Sequence, residues 1–213
     1  MGYFIAPECC RRPDLTHQTR REYFLQENMS EKKKQMFDSP WKQVIETFFP
    51  QFMSFFVPGS ENDIDWNREI KVLDKELQKI TKASISGQKY ADKLIEVTLK
   101  DQSRKWVLIH IEIQSQKQIH FSQRMFVYNY RIYDRYNIPV TSIAVLADDS
   151  PSWDPEPFHY GMWGSSMGLI YLKTKLLDYR GQWSWLEKQN NPFAIVVMAH
   201  LKALETQKDH SLR

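Results

Sequence analysis

Cysteine is nearly absent from this chain. Its 213 residues include two cysteines, and these are the adjacent Cys9 and Cys10 near the N-terminus. A neighbouring pair cannot cross-link distant parts of a fold, and it lacks the ligand spacing of a zinc site. The sequence therefore excludes a disulfide framework and a cysteine-based metal site in the folded region.

Long apolar runs and a strong net charge are also absent. No window reaches the roughly 20 uncharged apolar residues of a membrane-spanning helix, and residues 1–7 are too short for a signal-peptide core. We therefore expect a cytoplasmic protein that makes no contact with a membrane. The formal net charge of +3 is compatible with a polyanionic partner without demanding one.

The composition favours one folded domain, because 42% hydrophobic and 14% aromatic residues are enough for a sizeable core. There is no internal repeat and no heptad pattern. We expect residues 1–35 to be a leader that is either disordered or the product of a mis-assigned start, with Met29 as the true initiator. A folded core over residues 36–149, a C-terminal extension over 150–207 packed on that core, and a tail over 208–213 would follow.

The most informative segment is the strand-like run WVLIHIEIQ at residues 106–114. Because side chains alternate along a strand, His110, Glu112 and Gln114 share one face and the β-branched residues share the other. An ionised carboxylate is expensive to bury without a partner. A metal ion or a catalytic water is therefore a natural neighbour for Glu112.

The preceding run, residues 90–99, also alternates and leads through a polar loop into the first strand, so the two predict an antiparallel hairpin. Pairing of the β-branched faces fixes the register: Val97 with Val107, and Ile95 with Ile109. Asp92 then lies opposite Glu112, where two like charges repel and a Mg²⁺ ion would hold them together. The residues alone leave an alternative open, in which Asp92 is a turn residue and Glu112 is solvated.

Two helices are predicted before the hairpin. The residues Asp38, Ser39 and Pro40 are typical of a helix start, and a core-facing stripe follows at helical spacing up to Phe56: Trp41, Val44, Ile45, Phe48, Phe52 and Phe55. A second helix is expected from Asp65 to Ile80, because apolar residues recur there at helical spacing. An extended stretch at residues 81–86 would then lead to the hairpin.

After the hairpin, helical spacing predicts a long helix over residues 121–136, and a nearly continuous apolar run predicts a buried strand over 139–147. A further strand is expected over residues 167–177, and a helix over 192–205 with proline in its first turn. The fold class is therefore α/β with a mixed (α+β) sheet, in the order helix, three strands, helix, strand.

This order and its acidic residues resemble a known group of enzymes. Asp92 and the motif Glu112-x-Gln114, followed by a helix and an apolar strand, resemble the PD-(D/E)XK nuclease superfamily, with glutamine in the position of the usual lysine. Five further runs look like the Rpn-type group of recombination-promoting nucleases or transposases: IHIEIQSQ (109–116), FSQRMFVYNYR (121–131), KLLDYR (175–180), NPFA (191–194) and AHLK (199–202). The resemblance covers residues 36–207.

The resemblance implies a restriction-endonuclease-like core with an extra C-terminal strand and helix. It also implies a metal-dependent DNA endonuclease associated with recombination or transposition. The cofactor would be Mg²⁺, or alternatively Mn²⁺, held by Asp92 and Glu112 so that it activates a water for attack on a phosphodiester. Gln114 could orient that water but could not supply positive charge.

Two further residues are candidates for this site. The superfamily commonly adds an acid from a preceding helix. Among Glu46, Glu69 and Glu76 we select Glu76, because the run LDKEL at residues 73–77 looks like that of the family. His110 could donate to a metal ligand, position a phosphate or bind the metal, and its alternative is a structural histidine.

DNA contacts are expected mainly from the helix after the hairpin. Arg124, Arg131 and Arg135 recur at intervals that place them on one face, with Lys117 and Gln123 near the start of the helix. Such residues bind phosphates and position a duplex. Each arginine could instead form a surface ion pair with an acid.

Three functions compete at this point: an active endonuclease, a catalytically inactive relative that binds DNA or a protein partner, and an unrelated scaffold whose hairpin acids are solvated. DNA is the expected partner. The assembly is left open between a monomer and a homodimer.

Overall fold

The computed structural model describes residues 40–81, 91–101 and 106–211. Contacts between Cα atoms divide the chain into two compact units, Met1–Met36 and Phe37–Arg213. The described residues all belong to the second unit. The predicted leader and the predicted helix cap at Asp38 and Ser39 therefore lie outside the described residues.

The first long helix of the prediction is two helices, α1 (residues 40–47) and α2 (Phe49–Phe56), followed by a short α3 (Ser60–Asp63). Pro50 lies in the first turn of α2, where its missing N–H costs nothing, whereas it could not continue α1. The helix is interrupted at Phe48, which lies at the junction and is 39% exposed, whereas Phe49, the first residue of α2, is 3% exposed. The prediction of Phe48 as a core residue was wrong for this reason.

The second predicted helix was also too long. Residues from Asp65 onward form turns and a short strand, β1 (Lys71–Val72), and the helix α4 begins at Asp74 (Asp74–Thr81). Acids in the first turn of α4 favour a helix start there. The strand predicted over residues 81–86 is not seen at Thr81, which ends α4, and residues 82–86 lie outside the described part.

The main sheet is mixed, as predicted. Its strands lie in the order β1-β2-β3-β4-β7, with β1, β2 and β3 antiparallel and β3, β4 and β7 parallel. Their bounds are β2 (Ala91–Thr98), β3 (Trp106–Gln114), β4 (Val140–Leu146) and β7 (Leu172–Lys175). The predicted long helix, α5 (Phe121–Tyr136), forms the crossover that parallel strands require. A separate hairpin consists of β5 (Phe158–Met162) and β6 (Ser165–Leu169).

The end of the chain differs in detail from the prediction. Residues 167–177 are divided among β6, β7 and a 3-10 helix, Leu176–Gln182, rather than forming one strand. The short α6 (Trp183–Leu186) follows, and α7 (Pro192–Ser211) continues past the predicted end at residue 205. Within the part of the chain that the structure describes, no helix has the length and apolar character needed to cross a membrane.

The two faces of the sheet are covered by different helices. The face that carries Ile95, Ile109 and Ile111 packs in one core with α1, α2, the 3-10 helix, α6 and α7. On the other face, Leu94 and Leu108 pack against α4 and α5, and the β4 residues Ala144 and Leu146 pack against the first turns of α5. Strand β3 lies between β2 and β4, so polar side chains on its α5 face are removed from water.

Candidate functional site

The predicted hairpin and its register are confirmed. The backbone of Asp92 lies opposite that of Glu112, and the flanking pairs are those expected from the β-branched faces, Val97 with Val107 and Ile95 with Ile109. The side chain of Asp92 lies outside the described part of the structure. The register therefore establishes which residue Asp92 faces across the strands.

Three polar side chains of β3 are buried side by side on the face covered by α5. His110 and Glu112 are 0% exposed and Gln114 is 1% exposed. They share this face because they alternate with the isoleucines that enter the opposite core. Glu112 is therefore not a solvated residue, and its charge needs compensation within the protein.

That compensation comes from Arg124 in the first turns of α5. Its Nη2 atom lies 2.5 Å from Glu112 Oε1 and 2.7 Å from Gln114 Oε1, and its Nη1 donates to Gln118 Oε1. The guanidinium also lies over the ring of Phe121, 5.2 Å from the centroid. Two side-chain oxygens of β3 thus converge on one positively charged nitrogen.

His110 approaches Glu112 from the other side. Its Nε2 lies 3.8 Å from Glu112 Oε2, its Nδ1 lies 3.3 Å from Ser142 Oγ, and its ring meets Tyr128 edge-on at 5.8 Å. Burial lowers the pKa of His110 to about 4; the negative charge of Glu112 opposes this shift, and the positive charge of Arg124 adds to it. The imidazole is therefore neutral near pH 7.

Two residues of this site were not predicted. Ser142 lies on the α5 face of β4, opposite His110 in the parallel register, and Asn129 of α5 donates a hydrogen bond to it. The sequence offered two signals for these residues. One is a serine inside the apolar run VTSIAVL, and the other is an asparagine four residues after the core residue Met125. Ser142 is buried and Asn129 is partly buried, and polar groups removed from water normally require a partner.

The predicted helix acid, Glu76, lies on α4, which packs on the same face of the sheet as Glu112. The rejected alternative Glu46 lies on α1, on the opposite side, where it forms an ion pair with Lys93 at 2.9 Å. Within residues 40–81, 91–101 and 106–211, no group of three or more His, Cys, Asp or Glu side chains could hold a metal ion.

Lys93 forms a separate buried cluster that the sequence did not indicate. Its ammonium contacts Asp74 at 2.7 Å as well as Glu46, and it is 2% exposed. Burial acts to lower the pKa of Lys93, but the two carboxylates outweigh burial and raise it. Lys93 is opposite Ile111 in the register and therefore lies on the face of the sheet opposite to Gln114. It does not supply the positive charge that Gln114 lacks.

The predicted DNA-contacting residues have different environments. Arg124 points into the site, Arg131 donates to the Ile80 carbonyl at 3.2 Å and so joins α5 to α4, and Arg135 is exposed over the ring of Tyr136. Lys117 and Gln123 are exposed. Of the three arginines, Arg135 is therefore the one available for a phosphate in this arrangement.

Comparisons of this chain with protein-family models, with curated proteins and with solved structures gave no match.

Proposed function

We propose that this protein has a PD-(D/E)XK nuclease-like core and hydrolyses DNA phosphodiester bonds with a bound divalent metal, in recombination or transposition. The observation that carries the proposal is the position of Asp92 opposite a fully buried Glu112. A buried carboxylate beside a second acid is costly unless a cation compensates for both. The order of the elements along the chain, which is helix, antiparallel strands, crossover helix and parallel strand, further supports this core.

The donor set suits a hard metal ion. Glu112 Oε1 and Gln114 Oε1 converge on a single cationic nitrogen, and oxygen atoms in such an arrangement are the ligands that Mg²⁺ and Mn²⁺ prefer. Asp92 and Glu112 would hold the ion. When bound, it would lower the pKa of a water and compensate for charge on the phosphate. Gln114 would then orient the attacking water through its amide.

Arg124 supplies the positive charge that a glutamine at position 114 cannot. Its guanidinium already contacts both Glu112 and Gln114, and its side chain is 14% exposed. If a cation compensated for the charge of Glu112, the guanidinium would be available to a phosphate oxygen, which it would bind with strong charge-assisted hydrogen bonds. Arg124 would thereby stabilise the charge that develops during cleavage.

The same contact favours a second function. Because Arg124 neutralises Glu112 directly, the buried carboxylate is compensated without any metal. A catalytically inactive relative that binds DNA or a protein partner would retain this ion pair as a structural contact. The two functions differ in whether a divalent cation displaces Arg124 from Glu112.

A plasmid-nicking assay with Mg²⁺ or Mn²⁺ tests the proposal. Glu112→Gln and Asp92→Asn should each lower the nicking rate by about 100-fold or more, because each removes a charged ligand of the metal. Glu205→Gln is the matched control, since Glu205 is an exposed residue of α7 paired with Lys202. Equal nicking by all four proteins would eliminate the proposed site, whereas DNA binding without nicking by the wild type would support the inactive alternative.

A further inference from the structure

A chain of hydrogen bonds crosses from α5 through β4 to β3, partly buried at Asn129 and buried at Ser142 and His110. Asn129 Nδ2 donates to the carbonyl oxygen of Val140 and to Ser142 Oγ, both at 3.1 Å. Because only the NH₂ end of an amide can donate to a carbonyl, the Val140 contact determines which way the Asn129 amide is turned. Ser142 Oγ therefore accepts a hydrogen bond from Asn129.

This contact determines where the hydroxyl proton of Ser142 goes. Ser142 is 4% exposed, so its O–H needs an acceptor inside the protein. The acceptor that the described residues offer is His110 Nδ1, at 3.3 Å. His110 Nδ1 thus carries the lone pair, and in a neutral ring the hydrogen must then be on Nε2.

We infer that His110 is a positioning residue: Asn129 and Ser142 hold it as the Nε2–H tautomer, which directs a hydrogen-bond donor at the Glu112 carboxylate. The role in metal binding rests on the proposed function. Nε2 lies 3.8 Å from Glu112 Oε2, just beyond a hydrogen bond, while Arg124 holds Oε1 at 2.5 Å. If a cation replaced Arg124 at Oε1, the Nε2–H of His110 would face Oε2 and could hold the orientation of the carboxylate.

Direct binding of the metal ion, one of the roles considered for His110, is excluded by this tautomer. A ring nitrogen that carries hydrogen has no lone pair for a metal, so His110 in this tautomer does not bind the ion itself. It acts through Glu112 instead. Outer hydrogen-bond donors of this kind orient carboxylate ligands, and their loss typically weakens metal binding by about 10- to 100-fold.

Nitrogen NMR of the ¹⁵N-histidine-labelled, metal-free protein at neutral pH tests the tautomer directly. His200 is an internal reference, because its Nε2 lies 2.8 Å from the Ala147 carbonyl oxygen and must carry hydrogen there. The ring correlations of His110 should show the same Nε2–H pattern as those of His200. An Nδ1–H pattern at His110 would overturn the inference. This measurement needs neither DNA nor metal, so its result is independent of any nuclease activity.

Mn²⁺ affinity of the full chain tests the positioning role. His110→Leu should bind Mn²⁺ about 10- to 100-fold more weakly than the wild type, and His110→Gln should recover part of the loss, because the glutamine amide can place an N–H near the Nε2 position. Ser142→Ala removes a single oxygen atom and should also weaken Mn²⁺ binding. His200→Gln is the control and should leave the affinity unchanged.

The outcomes separate the two proposals. Wild-type affinity in both His110→Leu and Ser142→Ala would overturn the positioning role even if the protein cleaves DNA. A wild-type protein that binds no Mn²⁺ would contradict the proposed function and, with it, the metal-related role of His110. The tautomer would still be decided by the NMR pattern.

Discussion

At the scale of single residues, the polar interior depends on alternation along two adjacent strands. Lys93 and Glu112 belong to neighbouring strands but lie on opposite faces of the sheet, and each is compensated by a charge from a helix. Removing one partner of such a buried pair leaves an uncompensated charge, at a cost of several kcal/mol. Both positions therefore depend on residues of other elements.

The burial of His200 should make the stability of the fold depend on pH. It is 4% exposed, and burial lowers its pKa from 6.5, against the opposing effects of its hydrogen bond to Ala147 and the charge of Asp148. The unfolded chain takes up a proton below pH 6.5 that the folded protein resists, so stability should fall as the pH decreases through this range.

We expect His200→Gln to reduce this pH dependence, which for one proton approaches about 1.4 kcal/mol per pH unit. Urea unfolding between about pH 7 and pH 5.5 would measure it. His159→Gln is the control, because His159 is exposed on β5. Equal slopes for His200→Gln and the wild type would show that His200 does not resist protonation.

At the scale of elements, proline divides the N-terminal helical segment into two helices. Pro50 ends α1 and starts α2, and the restart moves Phe49 into the aromatic core, where α2 meets α7 near Trp66 and Phe193. Phe48 remains at the junction between the two helices. Neighbouring phenylalanines therefore have opposite roles, although an uninterrupted helix would bury the first of them.

This difference predicts unequal costs of truncation. Phe49→Ala should destabilise the protein by about 3–5 kcal/mol, because it removes a buried aromatic ring and leaves a cavity. Phe48→Ala should cost less than about 1 kcal/mol, since the residue is already 39% exposed. Chemical denaturation of both variants measures the difference, and equal destabilisation would show that the core does not distinguish the two rings.

At the scale of the whole molecule, the two layers of helices divide the surface into two sides. Helices α4 and α5 cover the face with Glu112, and the helices from both ends of the described chain cover the other face. If DNA approaches the proposed site, its phosphates lie along the α5 side. The exposed Arg135 is on that side, whereas the exposed Arg180 belongs to the 3-10 helix of the opposite layer.

We therefore expect Arg135→Gln to weaken DNA binding and to reduce the slope of log affinity against log salt by about 1, because one phosphate contact is lost. Arg180→Gln has the same change in charge and should leave that slope unchanged. Fluorescence anisotropy with a labelled duplex at several salt concentrations measures both. Equal slopes for the two variants would place the DNA on a different surface.

Several features could be predicted because their signals are local. Side chains alternate with a period of two, so burying one β-branched face specified the hairpin and placed Asp92 opposite Glu112. The long periodic run of α5 and the apolar run of β4 were equally clear. Strand β1 could not be predicted, because its two residues are extended only through pairing with β2.

The sequence by itself determined strands β2, β3 and β4, the crossover helix and the face of the sheet on which His110, Glu112 and Gln114 lie, because each follows from periodicity within one segment. Only the tertiary structure decided what those side chains meet. Arg124 reaches Glu112, and Asn129 reaches Ser142, because the crossover lays α5 over β3 and β4. The spacing of residues along a helix predicts which of them share a face. Whether an arginine on that face contacts a carboxylate or solvent depends on which element packs against it.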